Sequence, residues 1–214
     1  MPRLHVSSIS PRETRKICPP HVRLTELRAM MPLQPATFEQ SLRLAERQAE
    51  VLTKDLAAGA AIPAVSISVV TGRHRVRVEY PLDQRLPSAG FWDTGTRQWV
   101  IELPWDAAWP DKRYSLAREF KHILDYHQAG DLYRGDNLRS PASQADEAAR
   151  RFADHLLVPT RLLRRALDTG ADTIEELTAV FLVPTSVVLR RLSETGLDIV
   201  LRNKARTPDI GRRS

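Results

Sequence analysis

The amino-acid sequence predicts an α+β fold in which a small antiparallel sheet lies between an opening helix and a longer closing series of helices. Apolar residues recur at helical spacing in 37–58, short β-branched and alternating runs occupy 64–103, and helical periodicity returns after Pro110. The chain has 214 residues, of which 42% are hydrophobic, so it can bury one core of ordinary domain size with extensions.

The opening helix is predicted from Thr37 to Ala58. Thr37 can cap its first turn, with Glu39 and Gln40 close behind. Gly59 then breaks the helix. The apolar residues at roughly helical spacing are Leu42, Leu44, Ala45, Ala49 and Leu52.

Strands are predicted next. Residues 64–70 are short and β-branched, and residues 76–80 alternate between apolar and charged side chains, as a half-exposed strand does. A further strand is expected to end at 91–92, with a turn at 93–96 and a returning strand at 99–103. These strands form the predicted antiparallel sheet.

The rest of the chain is predicted to be helical, because its apolar residues follow the helical period between clear breaks. Helices are expected near 112–128, 143–157, 159–168, 173–181 and 185–195. The breaks are Pro159, Gly170, Pro184 and Gly196.

The net charge of +6 is carried by the two ends of the chain. Residues 1–31 and residues 202–214 each have a net charge of +4, which leaves −2 for residues 32–201. Contact with nucleic acid is therefore expected only through these basic tails, whose alternative role is that of solvated ends. No apolar run is long enough to span a membrane, no secretory signal is present, and one cysteine excludes a disulfide framework, so a cytoplasmic location is expected.

The predicted helix near 112–128 contains the pattern Arg118-Glu119-Phe120-Lys121-His122. Two histidines four residues apart on a helix can bind one zinc ion, and a glutamate after the first can act as general base. Here the first position is Arg118. An apolar stripe places Arg118, His122 and Asp125 on the face opposite the core; its members are Leu116, Phe120, Ile123 and Leu124.

The next helix offers a carboxylate. By the helical period, Asp146 falls within about 60° of the centre of the apolar face, whereas Glu147 falls nearly opposite, with Arg151 and Asp154. A carboxylate on a buried face needs a cation, hydrogen bonds or a metal. Asp146 is therefore the candidate third metal ligand, with a capping role as its structural alternative, and Glu147 is the weaker candidate.

These two segments resemble a known family. Residues 113–125 are similar to the ImmA/IrrE segment R-[FY]-[ST]-L-A-H-E-x-x-H-x-[IL], with only the first histidine changed. Residues 146–159 are similar to that family's E-x-x-A-[ND]-x-F-A-x-x-L-L-[MV]-P, and the similarity extends over about 38–198.

The resemblance implies a zincin-like metallopeptidase, a zinc-dependent hydrolase. His122 and Asp146 would be zinc ligands, and Glu119 the general base. Family members typically cleave helix-turn-helix repressors in phage, mobile-element or stress-response loci, so the implied partner is a helix-turn-helix repressor or antitoxin. The implied division is a basic, mostly irregular extension at 1–35, a metallopeptidase-like domain with a cleft-lining helix at 36–168, a helix-turn-helix-like segment at 169–201 and a basic tail at 202–214.

Arg118 puts zinc binding in question, because a guanidinium carries a positive charge and has no lone pair for a metal. His127 is the weaker substitute donor; it lies five residues after His122, about 140° around the helix. We expect the Arg118 guanidinium to occupy the vacated metal space and to pair with Asp146 or Glu119.

Three functions follow from these observations. The first is zinc-dependent cleavage of a repressor or antitoxin, which rests on Glu119, His122 and Asp146. The second is a catalytically inactive module that binds the partner without cleaving it, which rests on Arg118. The third is a DNA-binding regulator, which rests on the two short helices at 173–195 and on Arg190 and Arg191 in the second of them.

Overall fold

A computed structural model describes residues 24–54, 64–72, 76–82 and 87–206, and it confirms the predicted α+β class. The helices of the described part are α1 Leu24–Ala29, α2 Phe38–Thr53, α3 Ser68–Thr71, α4 Trp109–Asp125, α5 Ala129–Leu132, α6 Pro141–Leu157, α7 Thr160–Asp168, α8 Ile174–Phe181, α9 Thr185–Thr195 and α10 Asp198–Arg206. None of them is long and apolar enough to cross a membrane.

Some predictions fall on residues outside this description. They are the first 23 residues of the basic extension, the end of the opening helix at 55–58 with its break at Gly59, and the basic tail beyond 206. The predicted start of the opening helix is confirmed. The Thr37 hydroxyl accepts a hydrogen bond from Gln40 N, and the Gln40 side chain accepts one from Thr37 N, which completes a capping box.

The sheet has three strands, β1 Val76–Glu79, β2 Ala89–Asp93 and β3 Gln98–Glu102, in the order β1-β3-β2. β2 and β3 form the predicted antiparallel hairpin, with Trp92 opposite Trp99. β1 runs parallel to β3, so the sheet is mixed and the expectation of a wholly antiparallel sheet was wrong for this strand. The alternation of apolar and polar side chains indicates which face of a strand is buried. It does not indicate whether the strand runs parallel or antiparallel to its neighbour, because the pattern is the same in both cases.

One further expectation needs correction, and one short helix was not predicted. Residues 64–70 do not form a strand, because Ser68–Thr71 is a short helix whose Val69 and Val70 are buried. The extension 1–35, predicted to be mostly irregular, contains in its described part the helix α1 at Leu24–Ala29, whose Leu27 is fully buried. A helix of six residues is too short to show a clear apolar period in sequence, and tertiary packing stabilises it.

The core lies between α2, α4 and α6, and one continuous cluster of buried apolar side chains includes residues from α1 to α9. The stripe predicted on α4 is confirmed: Leu116, Phe120, Ile123 and Leu124 are each at most 1% exposed. Phe120 packs against Phe152 of α6 with ring centroids 6.1 Å apart. This contact fixes the pairing of the two helices that carry the candidate site.

A polar network is buried on the other side of α4. Lys121 is fully buried, and its Nζ lies 2.6 Å from Asp125 Oδ1 and donates to Gln48 Oε1 over 2.8 Å. The Tyr133 hydroxyl donates to Asp125 Oδ2 over 2.5 Å, and Gln48 Nε2 donates to Leu27 O over 3.0 Å. Burial lowers the pKa of Lys121, and the Asp125 carboxylate opposes that shift. The prediction that Asp125 faces away from the core was wrong, because α1 and α2 cover this side.

Lys121→Met tests how much this network contributes to the free energy of unfolding. Removal of one partner leaves the Asp125 carboxylate buried without its cation, which should lower the free energy of unfolding by about 3–5 kcal/mol. Urea unfolding measures the change. The control Arg43→Met breaks an exposed ion pair with Glu39 and should shift stability by less than about 0.5 kcal/mol. Equal losses in the two variants would contradict a structural role for the buried pair.

Candidate functional site

Helix α4 carries three polar side chains on the side that faces β2 and the first turns of α6. The helix is 17 residues long, with Pro110 in its first turn, and its apolar stripe is held against the core. With the stripe anchored, the helical period directs Arg118 and His122 to the side opposite the stripe and Glu119 to its flank.

Arg118 and His122 meet the same oxygen of α6. Arg118 Nη2 donates to Asp146 Oδ1 over 3.3 Å, and His122 Nε2 lies 3.3 Å from that oxygen. The expected pairing of Arg118 with Asp146 is therefore present. The expected burial of Asp146 is wrong, because its side chain is 62% exposed. The helical period predicts the direction in which the Asp146 side chain points. It does not predict whether a neighbouring helix or strand extends far enough to cover that side chain.

Glu119 faces strand β2. Ser88 Oγ donates to Glu119 Oε1 over 3.1 Å, and a Cβ at Gly90 would lie 3.4 Å from Glu119 Oε2. Burial raises the pKa of Glu119, while His122, the Ser88 hydrogen bond and Arg118 lower it and Asp146 adds to the rise. Sequence reasoning missed Ser88 and Gly90, although a glycine inside a strand is a known sign of close backbone approach.

The weaker candidates lie elsewhere. Glu147 Oε1 pairs with Arg150 Nη2 over 2.8 Å. His127 follows the end of α4, and its ring packs edge-on against Tyr126 with centroids 5.2 Å apart. The cap of α6 is Ser140, which accepts from the Ser143 amide, so Asp146 does not have the alternative capping role.

The donor chemistry of these residues does not fit the zinc centre that the resemblance implies. A catalytic zinc site commonly has three protein ligands, and His122 and Asp146 offer two. Arg118 offers no lone pair, and its guanidinium already contacts the Asp146 oxygen that a metal would need. Within the described residues, no group of three or more His, Cys, Asp or Glu side chains is arranged to hold a metal ion.

The helix-turn-helix-like segment uses its two arginines internally. Arg190 makes two bonds to the Asp154 carboxylate, of 2.7 and 2.8 Å, and one of 3.0 Å to the Tyr114 hydroxyl. Arg191 is 1% exposed and donates to Val158 O. Asp154 is 2% exposed, so its expected solvent-facing position was wrong; α9 covers it. Arg190 and Arg191 are thus committed to the packing of α9, not to a DNA-reading surface.

A helix bearing Glu119 and His122, held against a small sheet and against the helix of Asp146, defines a zincin-like fold. Residues 73–193 match the model of a peptidase family described as the IrrE N-terminal-like domain. The match covers more than half of the chain, so this chain belongs to that family, and the resemblance seen in sequence is confirmed.

A solved structure supports the fold. The chain is similar to a Mycobacterium tuberculosis transcriptional regulator, with a TM-score of 0.54 and 16% identity over 78% of this chain and 51% of that one. At this identity the likeness shows the fold alone, and this chain spans about half the length of that regulator. No curated protein matches the chain significantly.

Glu119→Gln tests the environment of the Glu119 carboxyl. A raised folded-state pKa means that the folded protein binds this proton more tightly than the unfolded chain. Stability then falls as pH rises from the ordinary glutamate pKa of about 4.3 to the folded-state value. Glu119→Gln has no carboxyl to titrate and does not lose this stability. The free energy of unfolding of the variant minus that of the parent should therefore be larger at neutral pH than at about pH 4. Urea unfolding across this range measures the difference.

Ser88→Ala is the matched control, because it removes a hydrogen bond that lowers the pKa of Glu119. In this variant the carboxyl should titrate at still higher pH. A stability difference between Glu119→Gln and the parent that does not change with pH would contradict the raised pKa.

Proposed function

We propose that this chain is a metallopeptidase-like domain that binds a regulatory protein in the cytoplasm without zinc-dependent cleavage. The partner is a helix-turn-helix repressor or antitoxin of a phage, mobile-element or stress-response system. One observation carries the proposal: the guanidinium of Arg118 contacts Asp146 at the helix position where the family pattern has its first zinc-binding histidine.

The charges around Arg118 support an arrangement that persists without a metal. The guanidinium supplies a cation to Asp146, and His122 approaches the same carboxylate oxygen. Side chains from α4 and α6 are thereby joined directly, as a shared metal ion would join them. The fold and the surface of the cleft can then be kept while the metal-dependent chemistry is absent.

Two comparisons support a regulatory partner. The chain belongs to a family described as IrrE N-terminal-like, and a protein of similar fold is named a transcriptional regulator; both are in keeping with a partner that takes part in gene regulation. The internal use of Arg190 and Arg191 favours control through a protein partner over direct reading of DNA by α9.

A zinc endopeptidase is the second candidate function. Glu119 favours it, because this carboxyl occupies the general-base position of the family pattern and burial raises its pKa, as general bases often require. The metal ligands argue against this function, since His122 and Asp146 alone would have to bind zinc with the positively charged Arg118 beside them.

Metal content separates these two functions. After equilibration with zinc and gel filtration, the protein should retain far less than one zinc per chain, because two ligands beside a cation bind weakly. Arg118→His restores the third donor and should bring the content close to about one zinc per chain. Elemental analysis measures both. Arg43→His, which adds a histidine at an exposed site on α2, is the control and should leave the content low. Stoichiometric zinc in the parent protein would overturn the proposal.

The partner provides the next test. A helix-turn-helix protein chosen as candidate partner from the neighbouring genes should form a complex with this chain, measured by native mass spectrometry, and should stay intact during long incubation. Because no metal is required, addition of a chelator and Glu119→Gln should leave the complex unchanged. Cleavage of the partner that requires zinc and disappears in Glu119→Gln would favour the endopeptidase instead.

A further inference from the structure

The hydrogen-bonding capacity of Arg118 is largely unused within the described part of the chain. A guanidinium offers five N–H donors in a planar fork. Arg118 Nη2 makes one long bond of 3.3 Å to Asp146 Oδ1, and Asp146 shares that oxygen with His122. Arg118 Nε is buried and has no hydrogen-bond partner among the residues that the structure describes. A buried donor without a partner is uncommon in proteins and needs an explanation.

The guanidinium is also reachable from outside. The side chain of Arg118 is 36% exposed, although its Nε is buried. Glu119 beside it faces Ser88, at the start of β2, while Asp146 lies on the other side, on α6. An incoming acceptor can therefore approach the fork between β2 and the first turns of α6.

The shape and charge of this place favour a carboxylate. Two oxygens of a carboxylate match two N–H groups of a guanidinium in parallel, which gives short, charge-assisted bonds. Two carboxyl groups, of Glu119 and Asp146, flank the fork; they repel any anion, and they repel a doubly charged phosphate more strongly than a carboxylate. Residues 32–201 carry a net charge of −2, so attraction of an acidic group here is local to Arg118 and not a property of the whole domain.

We propose that Arg118 converts the former metal position into a binding site for a carboxylate of the partner protein, taken up by the terminal nitrogens of the guanidinium. This proposal rests on the proposed function, since it requires that zinc be absent. It names what the partner presents to the cleft: an acidic side chain or a chain-terminal carboxylate.

Three peptides test the proposal on the full chain. They are acetyl-Ala-Thr-Glu-Thr-Ala-amide, the same peptide with glutamine in place of glutamate, and the glutamine peptide with a free C-terminal carboxyl. Affinity is measured by NMR titration, with the Arg118 Nε–H resonance as the local probe. The resonance is assigned by its loss in Arg118→Met.

At least one carboxylate peptide should bind about tenfold more tightly than the uncharged peptide, the difference expected of a charge-assisted pair. It should also shift the Nε–H resonance, and the peptide that does so identifies the source of the carboxylate. Arg118→Met should abolish the preference. Arg43→Met, which removes an exposed arginine on α2, should keep it. Arg118→Lys keeps the positive charge but has no guanidinium fork, so this variant should lose most of the preference for a carboxylate peptide. It provides a second variant if Arg118→Met folds poorly.

Equal affinity for all three peptides, or no binding at millimolar concentration, would overturn the proposal, as would a preference that survives in Arg118→Met. Zinc is measured on the same samples. Stoichiometric zinc would mean that the proposed function itself has failed, whereas zinc-free protein without a carboxylate preference would mean that only this inference has failed.

Discussion

The buried pair of Lys121 and Asp125 sets the rotation of helix α4, and the position of the candidate site depends on that rotation. Their charges are joined at 2.6 Å and enclosed by α1, α2 and the Tyr133 hydroxyl. A helix turns about 100° per residue, so burial of Lys121 directs His122, the next residue, elsewhere. Arg118 shares the direction of Asp125 but lies about two turns earlier along the helix. Because both side chains lie on α4, another rotation would keep the pair but separate it from Gln48 and the Tyr133 hydroxyl, which complete its hydrogen bonds.

The same requirement explains the short helix α1. Its Leu27 carbonyl accepts from Gln48, and its Arg28 donates to the carbonyls of Ile123 and Leu124 at the end of α4. These bonds satisfy carbonyls that a helix end leaves without intrahelical partners. The segment therefore belongs to the core of the described structure.

On the opposite side of α4, one arginine stands where the family pattern has a metal ligand. The resulting contact of Arg118 with Asp146 is longer and more exposed than the Lys121 pair. A pair of this kind contributes little to stability in a solvated setting. Its importance is chemical. Arginine at position 118 takes the place of one metal ligand and contacts a second, Asp146. It also leaves N–H groups without partners among the described residues, in a cleft between β2 and α6.

The local patterns of the sequence were sufficient for the start of the helix that Thr37 caps and for the α4 stripe around Phe120. The family resemblance added a pairing of Arg118 with Asp146 or Glu119, and the structure has it with Asp146. Where predictions were wrong, the deciding partner was distant along the chain. Asp125 and Asp154 were placed on solvent-facing sides, yet α1 and α2 cover the first and α9 covers the second. Asp146 was placed toward the core, yet it is exposed.

The sequence by itself determined helices α2, α4 and α6 to α9, which residues make the α4 motif, and that Arg118 cannot be a metal ligand. These properties follow from residue chemistry and from the helical period, which act over a few neighbours. Only the tertiary structure decided the direction of β1, the burial of Lys121, and the approach of Ser88 and Gly90 to Glu119. Each of these depends on which distant segment packs against a residue, and no pattern within one helix or strand specifies that neighbour.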